Sequence, residues 1–209
     1  MKYTQIPQDA FNNIQLNAGV LLKGFAPDTG TLKATDILGA TSGGVSFTAT
    51  PSFTDYGEDI DNCPKNMKEL KQLDGWEAKM SGTFVTVTAE LAAKLTGAAD
   101  TATDKVTPRN DLKAADFADL WWVGDYSAVN EDGTKGASAG FCAIHLLNSL
   151  STGGFQIQSG DKAKAQFAFE FTGHYSMDAP ETVPFEIYIK EGTEAAASCE
   201  STSSRRTSS

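Results

Sequence analysis

The sequence predicts a mainly β protein: an antiparallel β-sandwich or partly closed barrel with one flanking α-helix. Three observations carry this reading. Several segments alternate apolar and polar residues with a period of two, as strands with one buried face do. Only one segment, residues 88–97, combines strong helix formers with start and stop signals. Clusters of Gly, Pro, Asn and Asp punctuate the alternating runs. At 209 residues the chain suits one domain with short appendages, enough to bury about two-thirds of its unfolded surface.

Taken in order, residues 1–13 are polar, with Ile6 and Phe11 as isolated apolar anchors, and read as an N-terminal arm. Residues 14–25 are mostly apolar and read as a buried strand kinked at Gly19. The turn Ala26-Pro27-Asp28-Thr29-Gly30 follows. Thr41-Ser42-Gly43-Gly44 reads as an ordinary turn leading into a strand. In residues 45–55, Val45, Phe47, Ala49 and Phe53 share one face, with Pro51 among them. Ser46, Thr48, Thr50, Ser52 and Thr54 share the other. Proline cannot donate to a ladder, so Pro51 marks an edge or a bulge. Residues 76–87 alternate again, and their large residues change parity near Gly82, which predicts a bulge there.

Thr88 is placed to cap a helix that carries Glu90 in its first turn. Leu91 and Leu95 form its apolar stripe, and Gly97 stands just past its end. Residues 98–116 are polar, with a probable-turn sequence at Pro108-Arg109-Asn110-Asp111. A strand over residues 120–126 carries Trp121 and Trp122 on opposite faces, one for the core and the other free to meet a partner. Residues 130–138 read as a hairpin tip, and residues 141–148 as a further apolar strand. The clearest strand is residues 165–175, with Phe167, Phe169, Phe171 and Tyr175 on one face and Glu170 and His174 on the other. Phe185, Ile187 and Ile189 repeat the alternation. The β domain thus spans residues 14–192. Residues 193–209 are rich in Ser and Ala without apolar periodicity, a composition that predicts a disordered tail.

A net charge of −10 and pI near 4.6 argue against a protein that grips nucleic acid, which needs clustered Lys and Arg. The first residues lack a signal-peptide apolar core, and no run approaches the roughly 18 apolar residues of a membrane span. Cys63, Cys142 and Cys199, an odd count without a close pair, read as reduced thiols of a cytosolic protein.

Catalytic constellations are not legible. The two histidines, His145 and His174, read as structural. Cys142 and His145 lie three apart on a strand and so face opposite sides. No nucleophile elbow or phosphate loop occurs, and the cysteines lack zinc-ligand spacing. Asp55, Glu58, Asp59 and Asp61 lack the spacing of a calcium loop. No cofactor or metal is expected.

The long connection after residue 55 carries the functional signal. Tyr56 to Leu73 exceeds any hairpin requirement. Its charges are segregated: Glu58, Asp59 and Asp61 precede Lys65, Lys68 and Lys71. The acidic half of one copy can meet the basic half of the next, giving register and partner choice. Ile60, Met67 and Leu70 are its candidate apolar anchors. These nine residues form the candidate subunit interface.

Several segments, in order, resemble the major tail (tail tube) proteins of long-tailed siphophages, of the type found in Gram-positive phages and prophages. They are Gly39-Ala40-Thr41-Ser42-Gly43-Gly44-Val45, Asp55-Tyr56-Gly57-Glu58-Asp59-Ile60-Asp61-Asn62-Cys63-Pro64-Lys65-Asn66 and Met80-Ser81-Gly82-Thr83-Phe84-Val85-Thr86-Val87. Others are Pro108-Arg109-Asn110-Asp111-Leu112, Leu120-Trp121-Trp122-Val123-Gly124-Asp125-Tyr126, Leu150-Ser151-Thr152-Gly153-Gly154-Phe155-Gln156-Ile157-Gln158 and Phe169-Glu170-Phe171-Thr172-Gly173-His174-Tyr175-Ser176.

The resemblance implies a virion protein, built in the host cytoplasm, whose copies form hexameric rings that stack into a tube. Genome DNA transits the lumen without specific binding. Implied partners are the chain itself, a tape measure protein, a tail terminator and distal tail proteins. No catalysis, cofactor or membrane is implied. Glu170, opposite the phenylalanine face, is the candidate lumen carboxylate, and an acidic wall would keep DNA from adhering. The competing reading is a non-catalytic β-sandwich binding module, for virion decoration or for a receptor or carbohydrate.

Overall fold

The computed structural model describes Gln15 and residues 17–126 and 140–190. The expected arm (1–13), the hairpin tip at 130–138 and the serine-rich tail (193–209) lie largely or wholly outside the described residues. In chain order the elements are β1 (Val20–Leu22), β2 (Thr41–Asp55), β3 (Lys71–Phe84), α1 (Ala89–Thr96), β4 (Ala99–Ala102) and β5 (Lys105–Pro108). Then follow β6 (Ala118–Asp125), β7 (Phe141–Ser151), β8 (Phe167–Thr172) and β9 (Phe185–Lys190).

Seven strands form one antiparallel sheet in the order β1-β6-β7-β8-β3-β2, with β9 also paired to β7. The sheet does not close into a barrel, and β4 and β5 form a separate hairpin. β7 is the hinge of the architecture. Its first part, from Phe141 to Leu146, pairs with both β6 and β9, whereas Leu150 and Ser151 pair with β8. The sheet therefore has two limbs, β1-β6-β7-β9 and β8-β3-β2.

The main core lies between the limbs. Leu21, Leu120 and Leu146 from the first limb cluster with Met80, Phe84, Phe167, Phe169 and Phe171 from the second. Phe47 and Phe185 meet across the gap with ring centroids 5.6 Å apart. α1 closes one side with Leu91 and Leu95, both fully buried. Complete burial of such side chains is worth about 1.5–3 kcal/mol each. A second cluster, Leu22, Trp121, Val123, Phe141 and Ala143, covers the other face of the first limb, under Phe25 and Tyr188.

Both faces of β6 are thus used. Trp121 lies in the second cluster and Trp122 packs against the first. The Trp122 indole N–H donates to the Ala18 carbonyl at 3.1 Å. The expectation that one tryptophan stays free for a partner is corrected: at Trp121 and Trp122 both faces of β6 are covered.

The helix forms where the sequence places it. Thr88 Oγ1 accepts from Leu91 N at 3.2 Å, and Gly97 ends the helix at φ 85°. Pro51 lies on β2, an edge strand of the sheet, as a residue without an N–H requires.

Other expectations need correction. The strand over 14–25 shrinks to Val20–Leu22, because Gly19 at φ 68° redirects the chain. Thr41–Gly44 is no turn. It lies inside β2, where Gly43 (φ 81°) and Gly44 (φ 86°) form an irregularity opposite β3. β3 does not change parity at Gly82; its irregularity lies at Asp74, between the pairs Ser52↔Gly75 and Phe53↔Leu73. Ala78, Met80 and Phe84 keep one buried face, and Val85 and Val87 fall after the strand. Gly82 continues that face, and a Cβ there would fall 2.8 Å from Phe169 Cζ. Residues 98–116 contain the β4–β5 hairpin. Arg109 braces it, with Nη2 2.6 Å from Asp116 and Nε 3.0 Å from Asp100. The strand over 165–175 ends at Thr172, so Tyr175 and His174 lie outside it.

Candidate functional site

β2 and β3 stay paired from Val45↔Gly82 to Asp55↔Lys71. β8, however, supports β3 only from Lys79 to Phe84. Residues 71–78, with their β2 partners, therefore run past β8 as a two-stranded ribbon. A lone pair of strands is marginal in water. Here its base is tied down: Trp76 packs on Phe185 at 5.5 Å, and Trp76 N donates to the Tyr175 hydroxyl at 2.9 Å.

Beyond Trp76 the cover ends. Phe53 and Leu73 are opposite partners on the formerly buried face, and they are 51% and 46% exposed. Lys71 Nζ lies 5.1 Å from the Phe53 ring centroid. The other face of β2 presents Ser46, Thr48, Thr50, Ser52 and Thr54, all exposed, as the alternation predicts.

The connection at the tip spans residues 56–70, shorter than the expected 56–73, because residues 71–73 belong to β3. Lys71 is therefore a strand residue. Asp55 organises the turn. Its carboxylate accepts from Gly57 N at 2.9 Å and from Asn66 N at 3.0 Å. Asn62 and Asn66 both take φ 62°, which asparagine tolerates better than most residues. Gly57 is buried, with Leu70 Cδ1 and Cys63 Sγ closing around it. The loop is thus held by its own contacts, like a compact Ω-loop.

Its charges point outward. Glu58, Asp59, Asp61, Lys65 and Lys68 are exposed. Among the described residues, they make one ion pair, between Lys68 and its neighbour Glu69 at 3.4 Å. The acidic and basic halves do not neutralise each other within the chain. Ile60 and Met67 are exposed and Leu70 is half-buried. The structure gathers all nine interface candidates at one end of the molecule. Sequence reading missed Phe53, Tyr56 and Leu73, which extend the apolar surface along the ribbon. The signal available was that Phe53 and Leu73 flank the loop as large apolar residues.

Glu170 lies on the face of β8 opposite the phenylalanines. It accepts from Thr152 Oγ1 at 3.1 Å. Lys79, two strand positions away, is held by Glu77 at 2.7 Å, and that contact raises the Lys79 pKa. Glu77, Lys79 and Glu170 share the hydroxyl-rich face of β2, β3 and β8.

His145 is more elaborate than a simple core residue. It is buried and stacks on Trp121, with centroids 3.9 Å apart. Nε2 lies 3.2 Å from Asp119 Oδ2 and Nδ1 3.2 Å from Glu186 Oε2. The Tyr188 hydroxyl donates to the same Glu186 oxygen at 2.7 Å. That bond, then His145, hold the Glu186 carboxyl below its usual range. Cys142 faces the opposite side of β7, as its spacing predicts, and burial pushes its thiol up. His174 Nδ1 donates to the Asn148 carbonyl at 3.2 Å, and its ring meets Phe117 edge-on. A cavity of about 160 Å³ lies between α1 and the ends of β6 and β7, walled by Leu38, Lys94, Asp119, Leu120 and Phe171. Burial there lowers the Lys94 pKa. Among the described residues, no group of three or more His, Cys, Asp or Glu could hold a metal ion.

No protein-family model matches this chain, and no curated protein matches it.

Proposed function

We propose that the chain is a structural, self-assembling subunit: the major tail protein of a long-tailed phage, forming stacked hexameric rings around a DNA conduit. The observation that carries the reading is the β2–β3 ribbon. It extends past its neighbouring strand, exposes Phe53, Leu73, Ile60 and Met67, and ends in a loop held by its own contacts, whose acidic and basic halves do not pair with each other. Apolar surface of this kind marks an interaction site, and the charge order suits a repeated head-to-tail contact. The ordered sequence resemblance to tail tube proteins supports the same conclusion. In this reading the subunit works without catalysis or cofactor. It resides in the virion tail after assembly in the host cytoplasm. Its partners are further copies of itself, with the tape measure, terminator and distal tail proteins at the tube's core and ends.

The test is electron microscopy of the purified full chain beside a variant whose residues 57–69 are replaced by a two-residue turn. The wild type is expected to form rings or tubes, and the variant to stay a folded monomer by circular dichroism and sedimentation. Tubes from the shortened chain at the same concentration and salt would remove the ribbon from its role. A wild type that remains monomeric at high concentration would favour the binding-module reading.

A further inference from the structure

The inner face of the first limb is covered only part of the way along. Trp122, Ile144 and Phe185 pack against the main core. Further toward the open end, Ile187 is 52% exposed and Ile189 65%. Register sets Ile187 opposite Ile144, Ile189 opposite Cys142, and Cys142 opposite Gly124. Directly opposite residues share a face. Exposed Ile187 and Ile189, with half-buried Cys142 and buried Gly124 beside them, thus make an apolar strip continuous with the core. Two branched apolar residues on an edge strand are a liability that folds usually cover.

The chain itself arrives at this strip. Gln15 bridges to Tyr126, and its side-chain amide lies over Gly124. A Cβ on Gly124 would fall 1.7 Å from Gln15 Nε2. Any side chain there would displace the Gln15 amide from its place over β6. At least fourteen residues precede Gln15, among them Ile6, Phe11 and Ile14. Fully extended they reach roughly 46 Å, and the strip lies within three strand spacings, about 14 Å. The residues after Lys190 offer no comparable occupant, because 191–209 contain no Leu, Ile, Val, Met or aromatic side chain.

We propose that this strip is the seat of the chain's own N-terminal segment, with Phe11 covering Ile187, Ile189 and Cys142. The inference stands apart from the assembly reading, since it concerns contacts within one chain.

The test uses the full chain with Cys63→Ser, Cys142→Ala and Cys199→Ser and a nitroxide attached at Gln8→Cys, seven residues before the Gln15 bridge. The isoleucine methyl signals of Ile187 and Ile189 are expected to broaden, that of Ile60 to stay sharp, and both results to be unchanged on dilution. Absence of broadening overturns the proposal. Broadening that fades on dilution also overturns it, by assigning the seat to a neighbouring copy's segment. A second measurement keeps native cysteines. Ile187→Lys/Ile189→Lys alters only exposed side chains, and chymotrypsin cleavage after Phe11 should accelerate several-fold. An unchanged cleavage rate rejects the seat.

Discussion

At the scale of single residues, a contact too close for a side chain decides one position and a titrating carboxylate another. Gly82 sits beneath the Phe169 ring, which is 3% exposed, and beside the Gly44 carbonyl. Neither can retreat freely, since the ring belongs to the main core. Gly82→Ala is therefore expected to cost about 1–3 kcal/mol by overpacking, read as a lower midpoint in urea unfolding with unchanged slope. Glu186 supplies a pH dependence. Its folded pKa lies below the ordinary 4.5 because Tyr188 and then His145 bond to the carboxylate. A depressed carboxyl stabilises the fold fully above its unfolded value and loses that contribution as pH falls through the folded one. Melting temperatures of wild type and Glu186→Gln should therefore differ near neutral pH and converge well below 4.5. A constant difference across that window would assign the effect to packing. Because the group is half-exposed, the difference is expected to be small.

At the scale of elements, local signals proved reliable where one element answers to its own sequence. Thr88, Leu91, Leu95 and Gly97 specify α1 without reference to the rest of the fold. Thr88→Ala should lower stability by about 1 kcal/mol, because Leu91 N loses its acceptor. Calorimetry of that variant beside Thr88→Ser, expected near wild type, separates the cap from other effects. The long alternating runs of β2, β3 and β8 were legible for the same reason: a half-covered strand writes its burial into its sequence. The β4–β5 hairpin was not, since its residues Ala99, Asp100, Thr101 and Ala102 carry no apolar face and it is held by the Arg109 ion pairs. β9 misled differently. Its Phe185, Ile187 and Ile189 alternate like a buried strand, yet only Phe185 reaches the core. Alternation reports which residues share a face and is silent on whether anything covers it. The candidate interface was legible as a loop but not as a ribbon, because the extent of pairing past β8 is set by β8, nearly a hundred residues away in sequence.

At the scale of the whole molecule, the second limb has one face in the core and one in solvent, and the solvent face is unusual in its chemistry. It presents Ser46, Thr48, Thr50 and Ser52 from β2, Ser81 and Thr83 from β3, and Thr172 from β8. Along these three strands its charges are Asp74, Glu77, Lys79 and Glu170; Asp74 accepts from Thr54 and the lysine is occupied by Glu77. Hydroxyls hold no net charge, while the surplus carboxylates repel phosphate. Such a face suits the wall of a DNA conduit, and we place it on the lumen side of the proposed tube. Glu77→Lys together with Glu170→Lys reverses the balance without touching the buried phenylalanine face. If the face lines a lumen, tubes of the variant should still assemble. They should retain double-stranded DNA at low salt and release it steeply as salt rises, in the manner of counterion-dependent binding. Nuclease distinguishes inside from outside: DNA held in the lumen is protected over the tube length, whereas DNA bound to the outer wall is digested. Wild-type tubes should retain none in either assay. Nuclease-sensitive binding by the variant would put this face on the exterior of the tube.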